Sequence, residues 1–216
     1  NQDIDTLDMP FSVRHAMKRV AEFPEGIVLL SGPTGSGKTT TLYAIMQHLN
    51  DPGRHIVTIE NPVEYAIKSF TQIDVDGNMT FAKAMKSSLR LDPDVIMVGE
   101  IRDEESASIA IMAGSSGHMV LSTVHANNAA ETLTRLMSFG LKSFEVSSVI
   151  SSMIAQRLLP KIDPRAEILW GPPNEIEAEW LKRRNLYFPD MKFPTIAEGT
   201  FSFKGRVPIV EMVEMS

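Results

Sequence analysis

One segment of the chain has the residue spacing of a phosphate-binding loop. Gly32-Pro33-Thr34-Gly35-Ser36-Gly37-Lys38-Thr39 fits the pattern G-x-x-x-x-G-K-[ST]. Its glycines allow backbone N–H groups to turn toward phosphate oxygens, and a helix that begins after them adds the positive end of its dipole. In such loops the lysine reaches the β- and γ-phosphates, and the hydroxyl after it coordinates Mg²⁺. We therefore expect nucleotide contacts from Thr34, Gly35, Ser36, Gly37, Lys38, Thr39 and Thr40.

Two carboxylates and a histidine stand at the ends of apolar runs. Glu60 closes one run, Glu100 follows the run Val95–Val98 after one intervening glycine, and His125 follows a third run. Beside a phosphate loop, a carboxylate such as Glu100 orients either the waters of Mg²⁺ or the attacking water. Taken alone, Glu100 is equally a surface residue of a turn, and His125 is more readily a histidine that caps a loop. His118 lies at the other end of its run and is interpreted as structural.

The elements that must position these residues alternate between short apolar runs and amphipathic stretches. This alternation predicts an α/β fold with a mainly parallel sheet and flanking helices. In an open parallel sheet, ligands bind at the carboxyl ends of the strands, where the phosphate loop, Glu60, Glu100 and His125 all fall. Their shared position indicates one active site. The predicted strands are 27–31, 55–60, 70–75, 94–99 and 118–124, and the predicted helices are 37–50, 80–91, 103–113, 128–137 and 143–156.

Residues 160–216 have a different composition. They hold seven of the 13 prolines, both tryptophans and the basic run Lys182-Arg183-Arg184. We expect a small, loop-rich appendage with one short helix near 174–186. The last apolar run, 207–210, indicates a further strand, in which Pro208 suits either an edge position or the start of the strand.

The composition excludes several classes of protein. The 216 residues include no cysteine, so disulfides, thiol catalysis and thiolate metal sites are excluded. No apolar run approaches the roughly 20 residues that span a bilayer. The net charge of −6 argues against bulk binding of nucleic acid, which requires a basic face.

Four ordered segments resemble the secretion-superfamily ATPases, which are hexamers of RecA-like domains that power type II secretion and type IV pilus assembly. The similarity is dense from about residue 26 to residue 160. Residues 32–43 resemble the Walker A box, 58–65 the "Asp box", 89–103 the Walker B box and 117–127 the "His box", and Ala155-Gln156-Arg157-Leu158 matches a further signature.

The resemblance implies a Mg²⁺-dependent, RecA-like P-loop ATPase that assembles a type IV pilus or a type II secretion pseudopilus. Glu100 would hold or deprotonate the attacking water, Glu60 would orient the water shell of the metal, and His125 would sense the γ-phosphate. Thr39 would bind Mg²⁺ directly, with Glu60 and Glu100 acting through water. The implied partners are ATP, further copies in a homohexamer and inner-membrane platform proteins, at the cytoplasmic face of the inner membrane.

Two departures from the family pattern stand out. The family's box usually reads Thr-Ile-Glu-Asp-Pro, but Asn61 stands here in place of the aspartate. Assembly and secretion members also carry a four-cysteine zinc subdomain before a closing Gly-Arg-x-x-Ile-x-Glu element, which 205–211 retains without any cysteine before it. We expect no zinc. The appendage would then be held by apolar contacts of Trp170, Trp180, Leu186, Tyr187 and Phe188.

The resemblance also predicts the domain organisation. The ATPase core would comprise residues 1–159, the appendage 160–204 and the closing strand element 205–216. In this family an N-terminal domain covers the nucleotide and comes before the region that the chain resembles, so we expect the chain to be the motor domain of a longer protein. In the family, that domain supplies arginines which complete the site.

Other functions fit the sequence less well. Retraction ATPases of the same superfamily lack both the insertion and the closing element. A RecA-like nucleic-acid motor would need basic loops on its pore face, whereas the basic run 182–184 lies in the appendage. A GTPase would need the motif Asn-Lys-x-Asp or Thr-Lys-x-Asp, which is absent from the sequence. A small-molecule kinase would need an Arg-rich lid, and no segment of the sequence has that composition. A non-enzymatic scaffold would have lost Lys38 or Glu100.

Overall fold

Helices and strands alternate along most of the chain in residues 3–77, 79–197 and 203–215, the part that the computed structural model describes. Contacts divide the chain into a first unit, Asn1–Leu158 with Pro208–Ser216, and a second unit, Leu159–Val207. The helices are α1 (Phe11–Ala21), α2 (Lys38–Leu49), α3 (Phe81–Ser88), α4 (Glu104–Gly114), α5 (Ala129–Ser138), α6 (Ser143–Ser147) and α7 (Glu175–Arg183). The strands are β1 (Gly26–Ser31), β2 (Ile56–Glu60), β3 (Thr71–Asp74), β4 (Val95–Val98), β5 (Met119–Val124), β6 (Ile150–Ile162), β7 (Ile168–Gly171), β8 (Phe193–Ile196) and β9 (Phe203–Glu214).

Seven of the strands form one sheet in the order β3-β2-β4-β5-β1-β6-β9. The pairings that join the first six strands of this order are all parallel. Strands β1, β2, β4 and β5 are buried along their whole length, as apolar strands of a parallel sheet must be. The α/β fold with a mainly parallel sheet is therefore confirmed. β9 is an edge strand, and this position tolerates the missing N–H of Pro208.

The sheet separates two apolar cores. Ile27 and Leu29 of β1 belong to one cluster, whereas Val28 and Leu30 belong to the other. Successive side chains of a strand point to opposite faces, so continuous apolar runs feed both cores at once. This is the physical reason that the strand sequences show no polar alternation.

Capping residues determine where three of the helices begin. Thr80, Asp103 and Asn128 cap α3, α4 and α5 by accepting backbone N–H groups of the first turn. α2 has no side-chain cap, because Gly37 precedes it in a left-handed conformation. The residue before α2 therefore offers no side-chain acceptor to the N–H groups of the first turn.

The sequence prediction of a helix over 143–156 is wrong in its second half. α6 ends at Ser147, and β6 begins at Ile150 and pairs with β1 in parallel. Short apolar runs fit helix and strand periodicity about equally well. The free side of β1 decides between them, since a buried strand needs hydrogen-bond partners on both of its sides.

The second unit contains the antiparallel pair β7–β8 and helix α7. Asp163 pairs with the guanidinium of Arg165 at 2.8 Å, and this neighbour lowers the pKa of the carboxyl to about 2. Leu181 is the buried apolar residue of α7. The five large side chains whose apolar contacts were expected to hold this unit are all exposed: Trp170, Trp180, Leu186, Tyr187 and Phe188.

Cations cover some of this exposed aromatic surface. The guanidinium of Arg184 lies 4.1 Å from the ring centroid of Trp180, and the ammonium of Lys182 lies 5.0 Å from that of Tyr187. A unit this short has too little interior to enclose five large side chains. Cation–π contacts and a hairpin therefore stabilise this unit, where apolar contacts among these side chains were expected.

No helix in the described residues is long and apolar enough to cross a bilayer.

Removal of divalent metal ions from the nucleotide-free protein is expected to leave its Tm unchanged. A structural zinc would supply folding free energy directly, so its removal would lower the Tm. The measurement is thermal unfolding with and without EDTA, combined with elemental analysis of the purified protein. One equivalent of tightly bound zinc, or a Tm lowered by chelation, would contradict this prediction.

Candidate active site

Several predicted site residues meet at the carboxyl edge of the sheet. The loop 32–37 follows β1, Glu60 is the last residue of β2, Glu100 lies just beyond β4, and His125 directly follows β5. Thr39, Glu60 and Glu100 line one pocket of about 110 Å³. The structure thus brings together the loop and both carboxylates, and His125 reaches the same place through its contact with Glu100.

Backbone conformation explains the glycines within the loop. Gly35 and Gly37 have φ angles of +75° and +86°, which side-chain-bearing residues rarely adopt. Thr34 and Gly35 are exposed at the tip of the loop, and Thr40 is exposed in the first turn of α2. The loop therefore presents the uncapped start of α2 together with its own backbone, the arrangement that binds anions in phosphate loops.

The ammonium of Lys38 lies inside this loop. Its Nζ donates to the carbonyl oxygens of Gly32 at 2.9 Å and of Pro33 at 3.0 Å. Burial lowers the pKa of Lys38, and the carboxylate of Glu100 opposes this shift. A partly buried cation is stabilised more by an anion than by carbonyl dipoles. The electrostatics of the loop consequently favour a phosphate beside Lys38.

The polar atoms around the loop fit a nucleotide with Mg²⁺. The Oγ of Ser36 is buried and has no hydrogen-bond partner among the described residues, although buried hydroxyls are normally paired. Thr39, Glu60 and Glu100 supply oxygen atoms around one pocket. Mg²⁺ bound to phosphates keeps several waters and takes few protein ligands. It therefore needs no cluster of three or more ligating side chains, and the described residues contain none.

Glu60 is buried, and neutral donors compensate its burial. The Oη of Tyr43 lies 2.9 Å from Oε1 and 2.7 Å from Oε2, and the Oγ1 of Thr58 donates to Oε1 at 2.7 Å. Gln72 Nε2 lies 3.4 Å from the same oxygen. Burial and the bond to Glu60 raise the pKa of Tyr43, so the phenol keeps its proton as a donor. The network holds the carboxylate in one orientation.

Glu100 is held by charged and titratable groups instead. Arg102 Nε donates to Oε2 at 2.7 Å, and His125 Nε2 lies 2.8 Å from Oε1. Arg102 also lies over the ring of Phe81, 5.5 Å from its centroid. The side chain of Glu100 is 16% exposed, whereas those of Arg102 and His125 are more than half exposed. Two side chains that face solvent, Arg102 and His125, therefore hold the carboxylate of Glu100 at the wall of the pocket.

Asn61 uses its amide group in a way that an aspartate could not. Its Nδ2 donates to the backbone carbonyl of Val75, and the residue lines the same pocket as Glu60 and Glu100. A carboxylate has no N–H donor. The departure from the family box therefore replaces a charge by a hydrogen bond that ties the segment after β2 to the segment after β3.

Sequence reasoning missed Tyr43, Gln72 and Arg102 as functional residues. Tyr43 and Arg102 fall inside the segments 32–43 and 89–103, but no spacing rule distinguishes them from their neighbours. Tyr43 does carry a signal, because its phenol stands in a run of otherwise apolar residues in α2, and a buried phenol needs a partner. Gln72 carries none, since its partners become visible only when β3 pairs with β2.

The family model described as "Type II/IV secretion system protein" matches residues 1–216. The chain belongs to this family. The resemblance seen in the sequence is thereby confirmed.

Curated members of the family are similar to the chain over most of its length. The putative type II secretion system protein E of Escherichia coli K12 is 41% identical over 214 residues, which are 97% of this chain and 43% of that protein. The type II secretion system ATPase E of Vibrio cholerae is 42% identical over 196 residues, which are 90% of this chain and 38% of that protein. The chain thus spans about two fifths of the length of these relatives.

Solved structures of secretion and pilus ATPases share the fold. The pilus retraction motor PilT with bound ADP matches with a TM-score of 0.67 and 35% identity, over 85% of this chain and 56% of that chain. The ATPase DotB of Legionella pneumophila matches with a TM-score of 0.67 and 32% identity, over 76% of this chain and 48% of that chain. The expected RecA-like fold is confirmed.

Replacement of Tyr43 by phenylalanine should destabilise the chain by about 1–3 kcal/mol, because it removes the donor that bridges both oxygens of a buried carboxylate. Tyr65→Phe is the matched control: Tyr65 is exposed and its ring packs edge-on against Tyr43 at 5.8 Å. We expect the control to change the free energy of unfolding by less than about 0.5 kcal/mol. Urea unfolding of both variants tests this, and equal losses would contradict the role given to the Tyr43 hydroxyl.

Proposed function

We propose that the chain is the motor part of an ATPase that drives assembly of a type IV pilus or a type II secretion pseudopilus. The observation that carries this proposal is the meeting of the loop 32–37, Lys38, Glu60, Glu100 and His125 at one edge of the sheet. The names of the similar proteins support the choice of machine. We propose action as a homohexamer at the cytoplasmic face of the inner membrane, together with membrane platform proteins.

The phosphates of ATP bind to the loop in this proposal. Backbone N–H groups of 34–37 and the start of α2 surround the β-phosphate, and Lys38 exchanges its two carbonyl partners for phosphate oxygens. Thr39 would hold Mg²⁺ directly, and Glu60 and Glu100 would act through its bound waters. When bound, the metal neutralises charge that develops on the phosphates.

Glu100 orients the attacking water and accepts its proton. Arg102 and His125 fix the two oxygens of this carboxylate, so the acceptor stands ready in one position. Phosphoryl transfer depends chiefly on positioning and charge stabilisation, which makes such fixed geometry effective. His125 reports the state of the γ-phosphate, since a change at Glu100 reaches it through the contact of 2.8 Å.

Retraction of a pilus is the second candidate, because PilT is a structural neighbour. Assembly or secretion is favoured by the segment 205–211, which keeps the closing element of that branch. Deletion of the gene distinguishes the two candidates. Loss of pili or of pseudopilus-dependent secretion is expected, whereas surplus pili that no longer retract would support the retraction motor.

Lys38→Ala and Glu100→Gln should fail in different ways. Lys38 contacts phosphates in the ground state, so its loss should weaken ATP binding as well as turnover. Glu100→Gln should retain bound ATP while hydrolysis falls by about 100-fold or more, because the amide cannot accept the proton of the water.

The measurements are nucleotide affinity and turnover in the full-length protein. Glu105→Gln is the matched control, since it neutralises an exposed carboxylate on α4 that pairs with Lys86 and should leave both quantities unchanged. Near-normal hydrolysis by Glu100→Gln would overturn the assignment and pass the role to Glu60.

A further inference from the structure

A buried amide on β6 holds the phosphate loop from outside. Gln156 is 2% exposed, and its Nε2 donates to the backbone carbonyl of Ser36 at 2.7 Å. Its Oε1 accepts a hydrogen bond from the Oγ1 of Thr41 at 2.8 Å, and this bond is also buried. One side chain thus joins the loop, the first turns of α2 and the strand next to β1.

The bond to Ser36 sets the direction of a backbone N–H group. A trans peptide is planar, and its C=O and N–H point in opposite directions. Because the carbonyl of Ser36 points at Gln156, the N–H of Gly37 points to the opposite side of this peptide, away from Gln156. Inward N–H groups are what binds phosphate oxygens in such loops.

The glycines at both ends of the loop pack against the same residue. A Cβ atom on Gly32 would lie 2.2 Å from the carbonyl oxygen of Gln156, and one on Gly37 would lie 2.8 Å from its Nε2. A side chain at either glycine position would therefore collide with Gln156. The loop packs directly against this residue.

Glutamine meets the demands of this position with one neutral group. The amide donates to a carbonyl and accepts from a hydroxyl at once. A carboxylate would lack the donor and would bring negative charge close to phosphates, and a lysine or arginine could not accept from Thr41. An apolar side chain would leave the carbonyl of Ser36 without this partner.

We propose that Gln156 is a positioning residue for the nucleotide: it orients the peptide between Ser36 and Gly37 so that the loop is preorganised for the phosphates. The inference rests on the proposed binding of ATP at this loop. Gln156 touches neither the attacking water nor the carboxylates in this scheme. Its loss should therefore weaken nucleotide affinity more than it slows turnover.

The first test compares Gln156→Met with Ser152→Ala in the full-length protein. Methionine keeps the shape and removes both hydrogen bonds, and we expect the Kd values for ATP and ADP to rise by about tenfold, with kcat at saturating ATP within about threefold of the original. Ser152 lies on the same strand and donates to the carbonyl of Val213 at 3.0 Å, so its variant loses a buried bond away from the loop. Its nucleotide affinities should not change.

The second test uses Gln156→Glu and pH. Ionised, the introduced carboxyl cannot donate to the carbonyl of Ser36; protonated, it regains a donor and loses its charge. Burial raises the pKa of such a carboxyl. The ADP affinity of this variant relative to the original protein should therefore recover as the pH falls from 8 toward about 5.5.

The outcomes separate the two proposals. Failure of the unaltered protein to bind ATP and ADP would overturn the proposed function. Normal binding by that protein, with equal affinities in the Met variant and no pH-dependent recovery in the Glu variant, would overturn only the inference about Gln156. A merely structural role would lower the Tm of the Met variant to the same extent as that of Ser152→Ala, with unchanged Kd values, and this result also overturns the inference.

Discussion

The parallel pairing of β1 with β5 on one side and with β6 on the other is the constraint on which the site depends. Parallel strands end at the same edge, so whatever follows β1 and β5 must come together there. The chain leaves β1 at this edge, and α2, which connects β1 to β2 elsewhere in the same sheet, begins there. The same pairing therefore places the start of α2, His125 and Gln156 near the phosphate loop.

The site holds its two carboxylates by different means. Glu60 is buried among a phenol, a hydroxyl and an amide, which compensate its burial without adding charge. Glu100 is gripped by a guanidinium and an imidazole that face solvent. Neutral donors in a buried network respond little to salt or pH, whereas partners at the surface can exchange with other charges. Glu60 is thus positioned by groups inside the protein, and Glu100 by side chains that face solvent.

The second unit shows how a short segment without cysteines can be stabilised. The stabilising contacts are the bidentate pair of Asp163 and Arg165, the hairpin β7–β8 and cations that lie over aromatic rings. Since that carboxyl has a lowered pKa, the contribution of the pair is complete above its unfolded pKa and is lost as the pH falls toward 2. These contacts act over a few residues, so they do not require a shared interior.

The boundary between helix α6 and strand β6 could not be predicted from the local sequence. The run 148–156 has apolar residues at spacings that suit either element, and the choice depends on the unpaired side of β1. The five aromatic and apolar side chains of the second unit are a similar case. Their burial depends on the volume of the unit and not on their own hydrophobicity.

The sequence by itself determined the phosphate loop, the strand ends that carry Glu60, Glu100 and His125, and the parallel sheet. These depend on neighbours along the chain: glycine spacing, apolar runs and the residue that follows each run. Only the tertiary structure decided that Tyr43 donates to Glu60, that Arg102 and His125 hold Glu100, and that Gln156 supports Ser36 from 120 positions away. Arg102 is only two positions from Glu100, whereas the other partners are distant along the chain. Neither kind of contact leaves a periodic pattern in a single sequence, because each needs only one polar atom in the right place once the strands have paired.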